Sequence, residues 1–322
     1  MLYIDDKLLH IQQAKNLHEK RILCYTKRKI YGKTLSSICK DPLCEICTSK
    51  TRKTKVTAKL LSILKQIDID KLPCAKPEEL IKIHIKFERL YQRSGRNLSK
   101  KDKESLNKIF NYEWFDDKKN EFYNAYNLCN NLKIETCIYC NRLYTSTVIM
   151  GNTELIIRPT LDHWYPQGQY PILALSFYNL IPSCSPCNSS VKHSSNFELK
   201  KNIHPYVDIQ VTKNYKFLAT YDKSLDTFKI KVDSTDKRVQ ATLDEMKIAE
   251  IYQHHQSELA DLDLLKRKYN KSYLTNLNKL LGSTLNEKEV YRIMYGVEYA
   301  DEDFYKRPLS KLKKDILNIK LK

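Results

Sequence analysis

Residues 137–145 read CIYCNRLYT, residues 161–188 read LDHWYPQGQYPILALSFYNLIPSCSPCN, and residues 189–193 read SSVKH. Two Cys-x-x-Cys pairs stand in this stretch, Cys137/Cys140 and Cys184/Cys187, with 43 residues between them. Each pair can form a knuckle that offers two thiolates to Zn²⁺. Two knuckles complete the closed tetrahedral Cys₄ set of a structural zinc site. The spacer is long for a zinc ribbon, so a folded unit has to fit between the pairs. Two reduced pairs that bind nothing are the alternative.

Outward from the pairs, the residues alternate as strands do. Residues 143–149 read as a strand, Gly151-Asn152 as a turn, and residues 154–158 as a returning strand. A second hairpin is expected over 214–233, where Tyr215, Phe217, Ala219 and Tyr221 alternate and Phe228, Ile230 and Val232 answer them. Helices are expected on both sides. Pro77, Glu78 and Glu79 open one over 77–92, with Leu80, Ile83, Phe87, Leu90 and Tyr91 on one face. Another is expected over 104–132, with Trp114, Phe115, Phe122 and Tyr126 as core candidates. A third runs over 262–281 and stops at Gly282, with Leu262, Leu265, Tyr269, Tyr273, Leu277 and Leu281 on its face. Arg307-Pro308-Leu309-Ser310 reads as a cap before a last short helix to about residue 319.

Composition narrows the function. The 322 residues include 56 Lys and Arg against 38 Asp and Glu, a net charge of +18. That excess favours a polyanionic partner, most simply nucleic acid, with a solvated lysine-rich surface as the alternative. The first 135 residues hold 29 Lys and Arg against 17 Asp and Glu, and residues 20–59 alone hold 12 against two. This is the pattern of a docking arm, with Lys27-Arg28-Lys29 and Arg52-Lys53-x-Lys55 as candidate phosphate contacts and Tyr25 and Tyr31 as candidate stacking surfaces. Six glycines argue against a glycine-rich nucleotide loop, and Gly32-Lys33-Thr34 fails as one because Lys27 stands where the first glycine is required. No run of 18 apolar residues suggests a membrane span, and the N-terminus lacks an apolar secretory core. The ten cysteines therefore point to a reducing compartment, the cytoplasm, where paired cysteines read as metal ligands. Cys39-x₄-Cys44-x₂-Cys47, joined by Cys24 or Cys74, forms a candidate second zinc set without a clear fourth ligand. Ordinary thiols are its alternative.

Between and beside the knuckles lie Asp162-His163, then Asn179, then Asn188 nine residues later and directly after the last cysteine. This register resembles the HNH endonucleases, the ββα-metal class. Their motif runs hydrophobic-Asp-His, then Asn, then His or Asn nine residues on, and zinc-knuckle variants place the last residue after Cys-x-x-Cys. Asn in the third position is a common variation in the family. The resemblance covers roughly residues 134–205. It implies that His163 is the general base, for which an ordinary pKa of about 6.5 is suited. It implies that Asp162 and Asn188 hold one catalytic Mg²⁺ or Mn²⁺, and that Asn179 holds the loop orienting His163. Lys192, four residues after Asn188, and His204 in Asn202-Ile203-His204-Pro205-Tyr206 are candidate substrate contacts. Taken singly, His163 reads more readily as a core or surface histidine, His204 as a structural histidine, Asp162 as a turn or cap acid, and Asn179 and Asn188 as capping residues; the shared register reverses this for the motif residues.

The wider strings, with 202–206 and 306–316, are similar to bacterial HNH proteins of anti-phage defence, of the Septu and retron-associated type. These are paired with an ATPase. Gln167 stands where such relatives carry Lys, which weakens a phosphate contact there. The resulting expectation is an α+β chain. A zinc-stapled ββα core over 134–206 lies between a basic, mainly helical region over 1–133 and a hairpin-plus-helices region over 207–322. It would be a DNA-cleaving, defence-linked nuclease with a possible partner ATPase and no membrane association. A non-catalytic zinc DNA-binding or adaptor subunit, and an RNA-directed nuclease, are the competing readings.

Overall fold

A computed structural model describes residues 1–32, 44–48, 52–92, 98–151, 154–268, 271–280 and 285–321. The N-terminal third is helical. Helix α1 (Leu9–Tyr31) buries Ile11, Ala14, His18, Ile22 and Tyr25 at three- and four-residue intervals, so one stripe faces the core. It ends at Gly32, whose φ of +87° is readily available only to glycine. After α2 (Glu45–Thr48) and α3 (Ala58–Gln66) comes α4 (Pro77–Gln92), which matches the helix expected there and buries Leu80, Ile83, Phe87 and Tyr91.

The single helix expected over 104–132 is three: α5 (Lys100–Ile109), α6 (Tyr112–Asp116) and α7 (Ala125–Leu132). Three asparagines explain the breaks, because their side chains bond to local backbone that a continuous helix would use. Asn111 Oδ1 caps α6 by accepting from Trp114 N–H, and Asn124 caps α7 in a reciprocal box with Asn127. Asn120 Nδ2 holds the turn between them by donating to the carbonyls of Trp114 and Tyr123. Phe115 and Tyr126 are buried as expected, but Phe122 sits on that turn and is exposed.

Three two-stranded antiparallel sheets follow among the described residues. β1 (Val148–Met150) and β2 (Glu154–Ile157) make an exposed hairpin turned at Gly151; Asn152 lies outside the described residues. The strand expected from residue 143 starts only at 148, because Leu143 O accepts from Cys137 N–H and Thr145 N–H donates to Glu135 O, closing the first knuckle instead. β3 (Thr160–His163) pairs with β4 (Leu180–Ser183), with Asp162 opposite Ile181 and His163 opposite Leu180. A π-helical turn, Pro186–Lys192, comes directly after them. β5 (Tyr215–Asp222) and β6 (Thr227–Ser234) form the expected C-terminal hairpin.

α8 (Lys237–Glu245), α9 (Ile248–Gln253), α10 (Gln256–Lys268), α11 (Lys271–Leu280), α12 (Glu287–Tyr295) and α13 (Ser310–Leu317) complete the chain. The helix expected over 262–281 is thus shared between α10 and α11, with Leu262 buried and Tyr273 exposed; Tyr269, Leu281 and Gly282 lie outside the described residues. The fold is α+β, and one continuous core runs from Met1 to Leu317 across all three sequence segments. No helix of the described residues is long and apolar enough to cross a membrane.

Two histidines lie wholly inside this core. Burial pushes His18 down to about 4 and His204 down to about 3. The unfolded chain binds a proton at each near pH 6.5, whereas the folded chain does not, so stability falls as pH drops below 6.5 and keeps falling towards those folded values. Each histidine should contribute a slope of about 1.4 kcal/mol per pH unit once pH is well below 6.5. Denaturant unfolding between pH 6.5 and 5 measures it; a flat profile over that range would contradict the burial of neutral imidazoles.

Candidate functional site

The four cysteines of the two knuckles come together. The sulfurs of Cys137, Cys140, Cys184 and Cys187 all lie within 4.8 Å of one another, and all four residues are buried. Cys140 Sγ and Cys184 Sγ are 4.0 Å apart. A zinc tetrahedron with Zn–S bonds of about 2.3 Å places its sulfurs about 3.8 Å apart, so this cluster could hold a zinc ion. The backbone is shaped for it. Asn141, at φ +51°, turns the chain so that its N–H donates to Cys137 O at 2.8 Å, and Arg142 N–H donates to Cys140 Sγ at 3.4 Å. At the second knuckle Asn188 N–H donates to Cys184 O at 3.1 Å. Burial pushes the Cys137 thiol well up, while hydrogen bonds from the neighbouring sulfurs hold Cys140 well below the usual thiol range.

Strand β3 carries Asp162 and His163 beside this cluster. Asp162 is buried and accepts from Tyr139 Oη at 2.5 Å. Burial and the adjacent carboxylate push Tyr139 well up, so it stays a donor. The Lys192 ammonium reaches both carboxylate oxygens, at 3.3 and 3.2 Å, and donates to His163 O at 2.8 Å. Lys192 is therefore not at a substrate surface, as the sequence suggested: it is 1% exposed and internal to the site. Burial lowers its pKa and Asp162 opposes that shift.

His163 is half-buried, with the edge of the Tyr112 ring packed on it at 4.5 Å. Its Nε2 lies 2.9 Å from Ala174 O, and since a carbonyl only accepts, Nε2 carries the proton and Nδ1 holds the lone pair. Burial lowers its pKa, with the Ala174 carbonyl and Asp162 pulling the other way, so the imidazole is neutral at pH 7.

Three successive carbonyls of the intervening loop are each held by a side chain. Leu173 O accepts from Asn179 Nδ2 at 3.0 Å, Ala174 O from His163, and Leu175 O from His18 of α1 at 2.8 Å. Asn179 also accepts from Tyr165 N–H at 2.6 Å and donates to Tyr165 O at 3.2 Å. It is thereby bonded to the backbone on both sides of the loop that seats His163. Asn188 is half-buried on the π-helical turn.

His204 does not reach the site's surface. It is fully buried against the Trp164 ring, its Nδ1 accepts from Tyr206 N–H at 3.2 Å, and it serves the core. Sequence reasoning missed Tyr139, Asn141 and Tyr112. Tyr139 and Asn141 stand within or next to the first Cys-x-x-Cys pair, where any polar side chain necessarily lies close to the cluster. Tyr112 gives no such signal.

A second sulfur group forms in the N-terminal region from Cys24, Cys44 and Cys47. Cys74 is not part of it and donates to Lys15 O at 3.5 Å; Cys39 lies outside the described residues. Comparison with protein-family models, curated proteins and solved structures finds no match to this chain.

If zinc binds the four sulfurs, Cys184→Ser should lose that ion and the packing around it. Structural zinc in small domains contributes on the order of 10 kcal/mol to folding, so the melting temperature should fall steeply. Zinc content by mass spectrometry together with thermal melting checks this; a variant keeping both its zinc and its melting temperature would remove the staple.

Proposed function

We propose that the protein is a metal-dependent endonuclease of the HNH type that hydrolyses DNA phosphodiesters, stapled by a structural zinc ion on Cys137, Cys140, Cys184 and Cys187. The observation that carries this reading is the seating of His163. A neutral imidazole, on the residue after a buried carboxylate, is pinned through Nε2 to a carbonyl that Asn179 braces from the neighbouring residue, so that Nδ1 carries the lone pair. That is the arrangement of a general base, and a positioned base contributes roughly 10²–10⁴-fold to rate. Nδ1 would take the proton of the attacking water.

Asp162 would supply a carboxylate and Asn188, on the π-helical turn, an amide oxygen, hard donors of the kind taken by one Mg²⁺ or Mn²⁺ ion that keeps several waters. Such an ion, when bound, neutralises charge developing on the scissile phosphate and the departing oxygen. Lys192 supplies the positive charge on Asp162 without it. The same contact favours a second reading, a zinc-stapled DNA-binding or adaptor subunit without catalysis, because an internal cation already occupies the carboxylate.

A basic groove supports DNA as the partner. Lys29, Arg52, Lys53, Lys55, Lys101 and Lys108 line a cleft of about 410 Å³ in which Glu104 is the one acidic side chain among the described residues. Asn111 lines the same cleft, and the next residue, Tyr112, packs on His163. Cations positioned this way bind phosphates irrespective of sequence. A role in anti-phage defence, beside a partner ATPase, rests on the sequence resemblance.

Plasmid cleavage in Mg²⁺ or Mn²⁺ tests the chemistry. Wild type should cut and His163→Ala should lose on the order of 10²-fold or more while still binding DNA. Equal cleavage by both proteins would overturn the assignment. DNA binding that survives His163→Ala, with no metal-dependent product from wild type, would establish the adaptor reading. Faster cleavage of RNA than DNA would make RNA the substrate.

A further inference from the structure

The sulfurs of Cys24, Cys44 and Cys47 all lie within 4.8 Å of one another, a set that shares no residue with the first cluster. Cys24 and Cys44 are completely buried. Cys47 Sγ is 3.4 Å from Cys24 Sγ. Cys44 and Cys47 form a Cys-x-x-Cys turn in which Cys47 N–H donates to Cys44 O at 2.9 Å, so two sulfurs arrive from one knuckle and the third from the side of α1.

The local structure needs such a tie. Helix α2 has four residues, far below the length at which a helix holds itself in water. It is anchored by the buried Ile46 side chain and by the Arg28 guanidinium, which donates to Cys47 O. Electrostatics point the same way. Residues 20–59 carry 12 Lys and Arg against two Asp and Glu, so like charges accumulate in this segment. Three thiolates on Zn²⁺ leave one net negative charge, which offsets part of that repulsion.

We propose that Cys24, Cys44 and Cys47 bind a second structural zinc ion, with one coordination position left for a further donor, and that this ion braces the wall of the basic groove. The chain leaving α2 continues to Arg52, Lys53 and Lys55, and Thr54 N–H donates to Lys29 O of α1 at 2.8 Å. Zinc would join α1 to the Cys44–Cys47 turn, and the Thr54 bond joins α1 to the 52–55 segment. Lys29 of α1 and Arg52, Lys53 and Lys55 are thus gathered, against their mutual repulsion, into the cleft that Lys101 and Lys108 of α5 also line. The proposal is independent of whether His163 performs catalysis.

Zinc counting on the full-length chain, purified under reducing conditions from zinc-supplemented culture, tests it. Wild type should carry one ion for each sulfur cluster, two in all, and Cys44→Ser should carry one. Exchange of the Thr54 amide should accelerate by on the order of tenfold in Cys44→Ser, while the Trp164 amide, bonded to Asn179 O, keeps its protection. Should Cys44→Ser not fold, cobalt titration of the metal-stripped wild type decides instead, with the thiolate-to-cobalt absorption saturating at two equivalents. A single zinc ion in wild type, two zinc ions retained in Cys44→Ser, cobalt saturation at one equivalent, or an intact mass showing a Cys24–Cys47 disulfide would overturn the proposal.

Discussion

Four sulfurs brought to one point inside the core are the constraint from which the rest of the architecture follows. Thiolates cannot be buried together without a cation to neutralise them, and a bound metal turns their convergence into folding free energy. The first knuckle is where the distant parts of the chain meet. Leu2 N–H donates to Ile138 O, and Ile138 N–H donates to Pro182 O of β4. Tyr252 Oη donates to Cys140 O, and Leu309 N–H donates to Asn141 O just ahead of α13. The Asn141 side chain also ties down the C-terminal segment, donating to Phe304 O and Arg307 O and accepting from Lys311 N–H. Displacing this knuckle would therefore loosen the N-terminal strand of chain, the β3–β4 pair and the last helix together.

The candidate site inherits its rigidity from the same place. β3 is paired to β4, β4 runs directly into the second knuckle, and the loop between them is held carbonyl by carbonyl by Asn179, His163 and His18. His18 belongs to α1, so the basic N-terminal region is part of what positions His163. Lys192 on Asp162 is the unexpected element. A fully buried lysine needs its counter-ion, and removing either partner would strand the other at a cost of several kcal/mol.

Much of this was legible in the sequence because it follows short-range rules. The Cys-x-x-Cys spacing, the Pro77-led helix and the alternation of β5 and β6 each state their structure locally. What was not legible depends on partners far along the chain. Lys192 reads as a phosphate contact until β3 closes over it, and only the packing of Trp164 decides His204 for its structural reading. The break at 111–124 came from asparagines whose capping competes with helical periodicity, a contest that periodicity alone does not register. Cys24 lies 20 residues before Cys44, on another helix, and only the fold chooses it over Cys74.

Diffraction recorded at the zinc absorption edge tests the central claim most directly. The account expects an anomalous peak equidistant from the sulfurs of Cys137, Cys140, Cys184 and Cys187, at about 2.3 Å from each. Sulfurs without a peak between them, or a peak displaced onto nitrogen or oxygen donors, would contradict the four-sulfur staple on which the positioning of His163 rests.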